Sequence, residues 1–243
     1  MIKKIIPKNM KAAFNKAMRK RLGISEYNEM VNALNNEFYI NIVKERQQIE
    51  TSIPKVDLGY QHIANLKMLL NRNNLLQQLP RESICAEIGV NEGEFSKEIL
   101  SITLPEKLHL IDAWGNPSRY HDGLQLVVHD KFSTEIEKGQ VEINVGFSTV
   151  ILKKMPDFYF DWVYVDTDHS YGVTRDELAI LKTKVKPGGI IAGHDYVIGN
   201  WVNNCRYGVI EAVHELCVTD HWELLFLTVN QNEMPSFAIR KLV

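Results

Sequence analysis

The chain has 243 residues, with 28 Lys and Arg against 30 Asp and Glu, for a formal net charge of -2. That length buries one sizeable core, and the near-neutral balance excludes the broad basic field of a dedicated nucleic-acid binder. Cys85, Cys205 and Cys217 form no CxxC pair, which excludes a zinc ribbon or disulfide framework and fits a reducing compartment.

The first stretch is basic and amphipathic. Ile2, Ile5, Ile6, Met10, Phe14, Ala17, Met18 and Leu22 can share one helical face, with Lys and Arg interspersed throughout. Such a stretch can lie on an anionic membrane surface, but Pro7 interrupts it. Packing on its own domain or on a second copy of the chain is the plainer expectation. The interspersed charges speak against a signal peptide, and no apolar run reaches the ~18 residues of a spanning helix. A soluble cytoplasmic protein is therefore expected, with residues 1–22 the candidate for peripheral contact with the inner membrane face. Ser25 to Ile49 reads as a second helix capped by Ser25, and Pro54 to Tyr60 as a break. His62 to Leu79 reads as a further helix ending before Pro80. Residues 1–80 thus form an expected helical extension in front of a core domain over 81–243.

From Ser83 the pattern changes. Ser83 to Ile88 is a short, mostly apolar run that reads as a buried strand, and Gly89 follows at once. Beyond Gly93, the apolar residues Phe95, Ile99 and Leu100 recur at helical spacing. A strand turning into a helix through glycines lets a ligand approach the backbone and the helix N-terminus. Glu87 closes the strand with a carboxylate, which repels a pyrophosphate but pairs with an ammonium or a hydroxyl. Asn91 and Glu94 break the dinucleotide fingerprint G-x-G-x-x-G, which counts against a nicotinamide dehydrogenase. By itself such a turn is common and often purely structural.

Leu108 to Asp112 reads as the second strand, ending about 20 residues beyond the turn in a carboxylate placed to accept from ribose hydroxyls. An ordinary strand-end Asp before the Gly115-Asn116-Pro117 turn is the alternative. Gly115 to Gln140 is a long polar connection punctuated by Tyr120, His121, Asp122 and His129, which suits a lid or substrate loop. Val141 to Val145 is a third strand, followed by Gly146-Phe147-Ser148 and a helix to Lys154 with Ser148 as its candidate cap. Trp162 to Asp166 is the fourth strand and Val173 to Lys182 a helix. Lys186-Pro187-Gly188-Gly189 turns into a fifth strand, Ile190 to Gly193, with His194-Asp195-Tyr196 at its end. Gly208 to Cys217 is a helix, and Trp222 to Val229 and Ser236 to Leu242 suit an antiparallel pair at a sheet edge. The expected fold is α/β: a doubly wound, Rossmann-like sheet of about seven mostly parallel strands with an antiparallel last strand, behind an N-terminal helical extension.

These motifs carry a family resemblance. Glu87-Ile88-Gly89-Val90-Asn91-Glu92-Gly93 is similar to the first motif of the class I S-adenosylmethionine (SAM) dependent methyltransferases. Asp161-Trp162-Val163-Tyr164-Val165-Asp166-Thr167-Asp168-His169-Ser170-Tyr171, then Lys186-Pro187-Gly188-Gly189, then Gly193-His194-Asp195-Tyr196 resembles one branch of that family. The branch includes metal-dependent O-methyltransferases of sugars, macrolide sugars and phenols, and the resemblance covers about residues 80–243. It implies that Glu87, Gly89 and Gly93 hold the methionine part of SAM and Asp112 the ribose. Ala113 and Trp114 would line the adenosine side, and Phe147 and Ser148 the adenine surroundings.

Related enzymes hold a divalent metal, Mg or Mn, between the ends of the fourth and fifth strands. Asp166 and Asp195 stand there, with His194 beside them, and Asp166, His169 and His194 are the candidates to activate the acceptor. The fifth strand departs from the Asp-Asp, Glu-Asp or Asp-Asn of such relatives. An imidazole suits manganese, iron or zinc better than magnesium, and His194 can instead serve as a base. Strand-end residues satisfied by backbone amides are the alternative for the whole set. The expected function is SAM-dependent O-methylation of a sugar, a glycan or a glycosylated small molecule, with no nucleic-acid partner. Its rivals are a phenolic or natural-product O-methyltransferase and a catalytically idle SAM-fold protein serving in an assembly or at a membrane.

Overall fold

A computed structural model describes residues 8–115, 123–200, 202 and 205–242, with side chains from residue 12 onward. Ile2, Ile5, Ile6 and Pro7 of the basic stretch, and Tyr120, His121 and Asp122 of the long connection, lie outside the described residues. The chain divides into two compact units, residues 1–52 and 53–243.

The first unit holds α1 (Lys8–Leu22) and α2 (Ile24–Ser52). Gly23, at φ +84, takes the left-handed conformation between them, and its N–H closes α1 on the Arg19 carbonyl at 3.0 Å. The Arg19 guanidinium lies 4.8 Å from the ring centre of Tyr27, a buried residue of α2. Ser25 falls inside the first turn of α2 instead of capping it, and its hydroxyl reaches Glu29 at 3.5 Å. No described helix is long and apolar enough to cross a membrane.

The second unit is built on β1 (Lys67–Leu69), β2 (Ile84–Ile88), β3 (Lys107–Asp112), β4 (Val141–Val145), β5 (Phe160–Val165) and β6 (Val185–Gly193). A two-residue ribbon of β7 (Gly199–Asn200) and β8 (Cys205–Arg206) follows, then β9 (Trp222–Thr228) and β10 (Phe237–Lys241). The helices are α3 (Arg72–Leu76), α4 (Glu94–Thr103), α5 (Leu124–Lys131), α6 (Ser133–Glu137), α7 (Ser148–Lys154), α8 (Tyr171–Lys184) and α9 (Val209–Asp220). Eight strands form one sheet in the order β1-β9-β10-β6-β5-β2-β3-β4, parallel except where β10 runs between β9 and β6.

Because both faces of the sheet are covered, its central strands are apolar almost throughout. Ile88, Ile111, Val163 and Val165 pack beneath Leu178 and Leu181 of α8 and Val213 of α9. On the other face Cys85, Leu108, Leu110 and Tyr164 meet Leu75 and Leu76 of α3, Ile99 of α4 and Val128 of α5.

Two expectations fail here. The helix expected over His62 to Leu79 is replaced by the edge strand β1 and the five-residue α3. The Asn71 side chain accepts from the Asn74 N–H at 2.9 Å and caps α3, while β1 hydrogen-bonds along β9 from Lys67 opposite Phe226 to Leu69 opposite Thr228. Pairing with a strand some 160 residues away outweighs the local helical spacing. Residues 53–80 consequently belong to the sheet's unit, not to the helical extension, and β9 is not an edge strand. The second failure is the long polar connection, whose described part is largely α5 and α6. Buried Val128 and Phe132 anchor those helices, and they belong to a row of Leu124, Val128, Phe132 and Ile136 at helical spacing that the polar residues between them mask.

Candidate active site

The carboxyl ends of β2, β3, β5 and β6 meet at one rim. Gly89 sits at φ +92, and a Cβ there would stand 1.9 Å from the Asp166 carbonyl oxygen, so only glycine permits this approach of the turn to the end of β5. The approach is sealed by the Asp166 N–H donating to the Ile88 carbonyl at 2.7 Å. Gly93, at φ +74, starts α4, and a Cβ there would press on the Phe132 ring at 2.8 Å; it lines neither cavity described below. Its part is packing.

Asp112 organises the turn. Its Oδ2 accepts from the N–H groups of Val90 (2.8 Å) and Asn91 (3.0 Å), and its Oδ1 from that of Trp114 (2.8 Å). A carboxylate offers about four acceptor positions, so one is left for a ligand hydroxyl. The Trp114 indole N–H donates back to the Asn91 carbonyl at 2.9 Å, bracing the turn. Of the two residues expected along the adenosine, Ala113 lines the cavity there and Trp114 does not.

Two cavities meet at Gly89, Asp166 and Thr167. The first, of about 510 Å³, is lined also by Asp112, Ala113, Phe147, Ser148 and Glu177. The second, of about 400 Å³, is lined by Arg72, Glu87, Phe95 and His169 among others. Their sizes and their junction at the glycine turn suit a nucleoside on one side and an amino-acid moiety on the other. In the first, Ser148 is not a helix cap: it is the first residue of α7, and its hydroxyl donates to Glu177. Thr167 donates to the same carboxylate at 2.8 and 3.0 Å. Burial pushes the Glu177 carboxyl up to about 7, against the pull of those two hydroxyls. In the second, the Ser96 hydroxyl donates to Glu87, and burial raises the Glu87 carboxyl to about 8 against that bond and the Arg72 charge.

Asp166 and His169 join the second cavity to an acidic and imidazole-bearing rim. Ligand atoms of Asp166, His169 and Asp195 all come within 4.8 Å of one another. His169 Nε2 is 3.1 Å from Asp195 Oδ2, and its ring packs on Tyr207 with centroids 4.6 Å apart. His194 Nδ1 stands 3.4 Å from the same Asp195 oxygen and 3.8 Å from Asp166 Oδ2. His194 lines neither cavity, and its Nε2 is buried without a hydrogen-bond partner. The triad with metal-holding geometry therefore contains His169, where His194 was expected. Two carboxylates and one imidazole suit manganese or zinc better than magnesium.

Burial raises the Asp166 carboxyl, an effect the neighbouring imidazoles oppose. For Asp195 burial works the same way but is outweighed by the His194 bond and the two imidazole charges, which hold it below the carboxylate range. His194 is raised, because the Asp195 bond and the Asp166 and Asp195 charges outweigh the lowering by burial. Arg72 and Glu177 gave no signal in the sequence, since nothing local to them marks a site, whereas Thr167 stands within the Asp161 to Tyr171 motif without having been given a role.

Residues 86–196, somewhat under half of the chain, match the family model described as "Methyltransferase domain". No curated protein matches. Among solved structures, the chain is similar to the pyocyanin biosynthetic protein PhzM, with a TM-score of 0.53 and 14% identity over 70% of this chain and 54% of that one. It thus spans about half the length of PhzM. It is also similar to the O-methyltransferase TomG from Streptomyces achromogenes, involved in tomaymycin synthesis and solved with SAM. There the TM-score is 0.51 and the identity 19%, over 69% of this chain and 78% of that one. The sheet that carries residues 86–196 shares the mixed α/β, Rossmann-like fold of PhzM and TomG.

Proposed function

We propose that the chain moves the methyl group of SAM onto a hydroxyl oxygen of a sugar, a glycan or a glycosylated small molecule. The observation that carries this reading is the cluster of Asp166, His169 and Asp195 at the wall of the cavity that also holds Glu87 and Gly89. The nucleoside rests against Asp112, Ala113, Phe147 and Ser148, and the methionine part against Glu87 and Gly89. SAM supplies an electrophilic methyl carbon on a sulfonium. An acceptor hydroxyl held beside His169 bonds through its oxygen to that carbon as the S–C bond breaks. Its proton passes to the imidazole, leaving a methyl ether, a thioether and an imidazolium.

Asp195, on Nε2, leaves Nδ1 to receive that proton and then stabilises the imidazolium. Asp166 orients the hydroxyl, and His194 buttresses both carboxylates from behind. A divalent ion on Asp166, His169 and Asp195 would take the imidazole as a ligand in place of its base role and would supply Lewis-acid polarisation of the hydroxyl instead. An oxygen acceptor is supported by the likeness to TomG, and a sugar by the resemblance of the Asp161 to Tyr196 segment to sugar O-methyltransferases.

The test is incubation with methyl-labelled SAM and a panel of glycosides, free sugars and phenols, with and without Mn²⁺, read by mass spectrometry. A labelled glycoside methyl ether is expected. Labelling of phenols only would overturn the sugar assignment, and absence of S-adenosylhomocysteine binding in a calorimetric titration would overturn the enzymatic reading.

A further inference from the structure

Arg72 belongs to the segment in which a featureless helix was expected, and it lies outside the stretch matched as a methyltransferase domain. Its side chain nevertheless lines the same cavity as Glu87. The guanidinium lies over the face of Phe95, 4.3 Å from the ring centre, which leaves its N–H edges to point elsewhere. The base of the side chain is fixed, because the Asn71 side chain caps α3 and the Arg72 N–H donates to Glu233 Oε1 at 2.9 Å. The charge of Arg72 is felt by Glu87, Asp166 and Asp195, lowering the carboxyl of each. Yet among the described residues its guanidinium forms no ion pair with any of them. A half-buried cation that faces several carboxylates without pairing has its donors free for a ligand anion.

The remaining charges make the point sharper. Glu87, Glu92, Glu94 and Asp166 line this cavity, and Arg72 is the one permanently cationic side chain among the lining residues. The methionine part of SAM carries an ammonium and a carboxylate on one carbon. Acidic walls satisfy the first and repel the second, so a ligand of this kind needs a cation beside Glu87. We propose that Arg72 receives the α-carboxylate of SAM while Glu87 receives the ammonium, making the cavity a zwitterion clamp. This rests on the cofactor placement proposed above. The guanidinium fork offers two parallel N–H donors to the carboxylate, which a lysine ammonium cannot reproduce.

The test uses calorimetric titration of the full chain with two ligands: S-adenosylhomocysteine, and 5′-methylthioadenosine, which lacks the amino-acid group. Arg72→Met keeps the stem that packs on Phe95 and removes the charge; Arg72→Lys keeps the charge and removes the fork. Losing hydrogen bonds to a charged group at this scale corresponds to about 10- to 100-fold in affinity. Arg72→Met is expected to weaken S-adenosylhomocysteine by that factor and to leave 5′-methylthioadenosine within about twofold, with Arg72→Lys in between. Equal losses for both ligands would make Arg72 a packing residue and overturn the proposal. So would an unchanged affinity of Arg72→Met for S-adenosylhomocysteine. A wild-type chain that binds 5′-methylthioadenosine no more weakly than S-adenosylhomocysteine would overturn it as well. A wild-type chain that binds neither sinks the cofactor placement itself, and the clamp with it.

Discussion

Replacing Asp112 by Asn tests whether one carboxylate both holds the glycine turn and meets the ligand. In the folded chain that carboxylate accepts three backbone N–H groups, from Val90, Asn91 and Trp114, at 2.8 to 3.0 Å. An asparagine retains one oxygen. Turned toward Val90 and Asn91, it keeps those two bonds and points its own NH₂ at the Trp114 N–H. Losing one charge-assisted bond and setting two donors face to face is expected to cost about 2–3 kcal/mol, and Asp112→Ala about 3–5 kcal/mol. The Ala value stays below three full bonds because Trp114 is not buried and water reaches the loop there.

Urea unfolding followed by tryptophan fluorescence measures the stability, and calorimetry with S-adenosylhomocysteine measures the affinity, expected to fall more than about tenfold in Asp112→Asn. A variant of wild-type stability would refute the turn-holding role. A destabilised variant of wild-type affinity would refute the ribose role and leave Asp112 a purely structural residue.

Glu87, raised to about 8, is largely protonated in the free protein at pH 7 and must ionise to meet an ammonium. S-adenosylhomocysteine binding at pH 7 is therefore expected to release close to one proton, seen as a dependence of the binding enthalpy on buffer ionisation enthalpy; equal enthalpies in phosphate and Tris would contradict this. Glu177 has a folded-state value of about 7 against an ordinary 4.5, so the stability associated with it is complete below 4.5 and is lost as pH rises through 7, an amount of about 3 kcal/mol. Glu177→Gln should flatten the stability curve between pH 4.5 and 7, leaving the fall from Glu87, which has the same sense; an unaltered curve would count against the assignment. His169→Gln is expected to lower turnover about 10²- to 10⁴-fold while S-adenosylhomocysteine affinity stays within about twofold. Turnover within threefold of wild type would remove His169 from the base role.

What the sequence determined by itself is the material carried at strand ends. A buried strand announces itself by its apolar run, a turn by its glycines, and the residue at their junction is then known by position. Glu87, Gly89, Asp112, Asp166 and Asp195 were each legible in this way, and so was the antiparallel pairing of the last two strands. Tertiary structure decided everything that depends on which strand lies beside which. Val165 pairs with both Ile88 and Gly193, and this register places Asp166 between the glycine turn and the His194-Asp195 pair.

Of the two imidazoles, His169 faces the cavity and His194 stands behind it, because the ring of His169 packs on Tyr207, nearly forty residues further along the chain. Arg72 and Glu177 come to the site on α3 and α8, helices from opposite faces of the sheet, and Lys67 to Leu69 became a strand only because β9 offered an open edge. Local spacing records how a segment alternates between solvent and core. It holds no information about the neighbour across a cavity, because long-range packing supplies that neighbour.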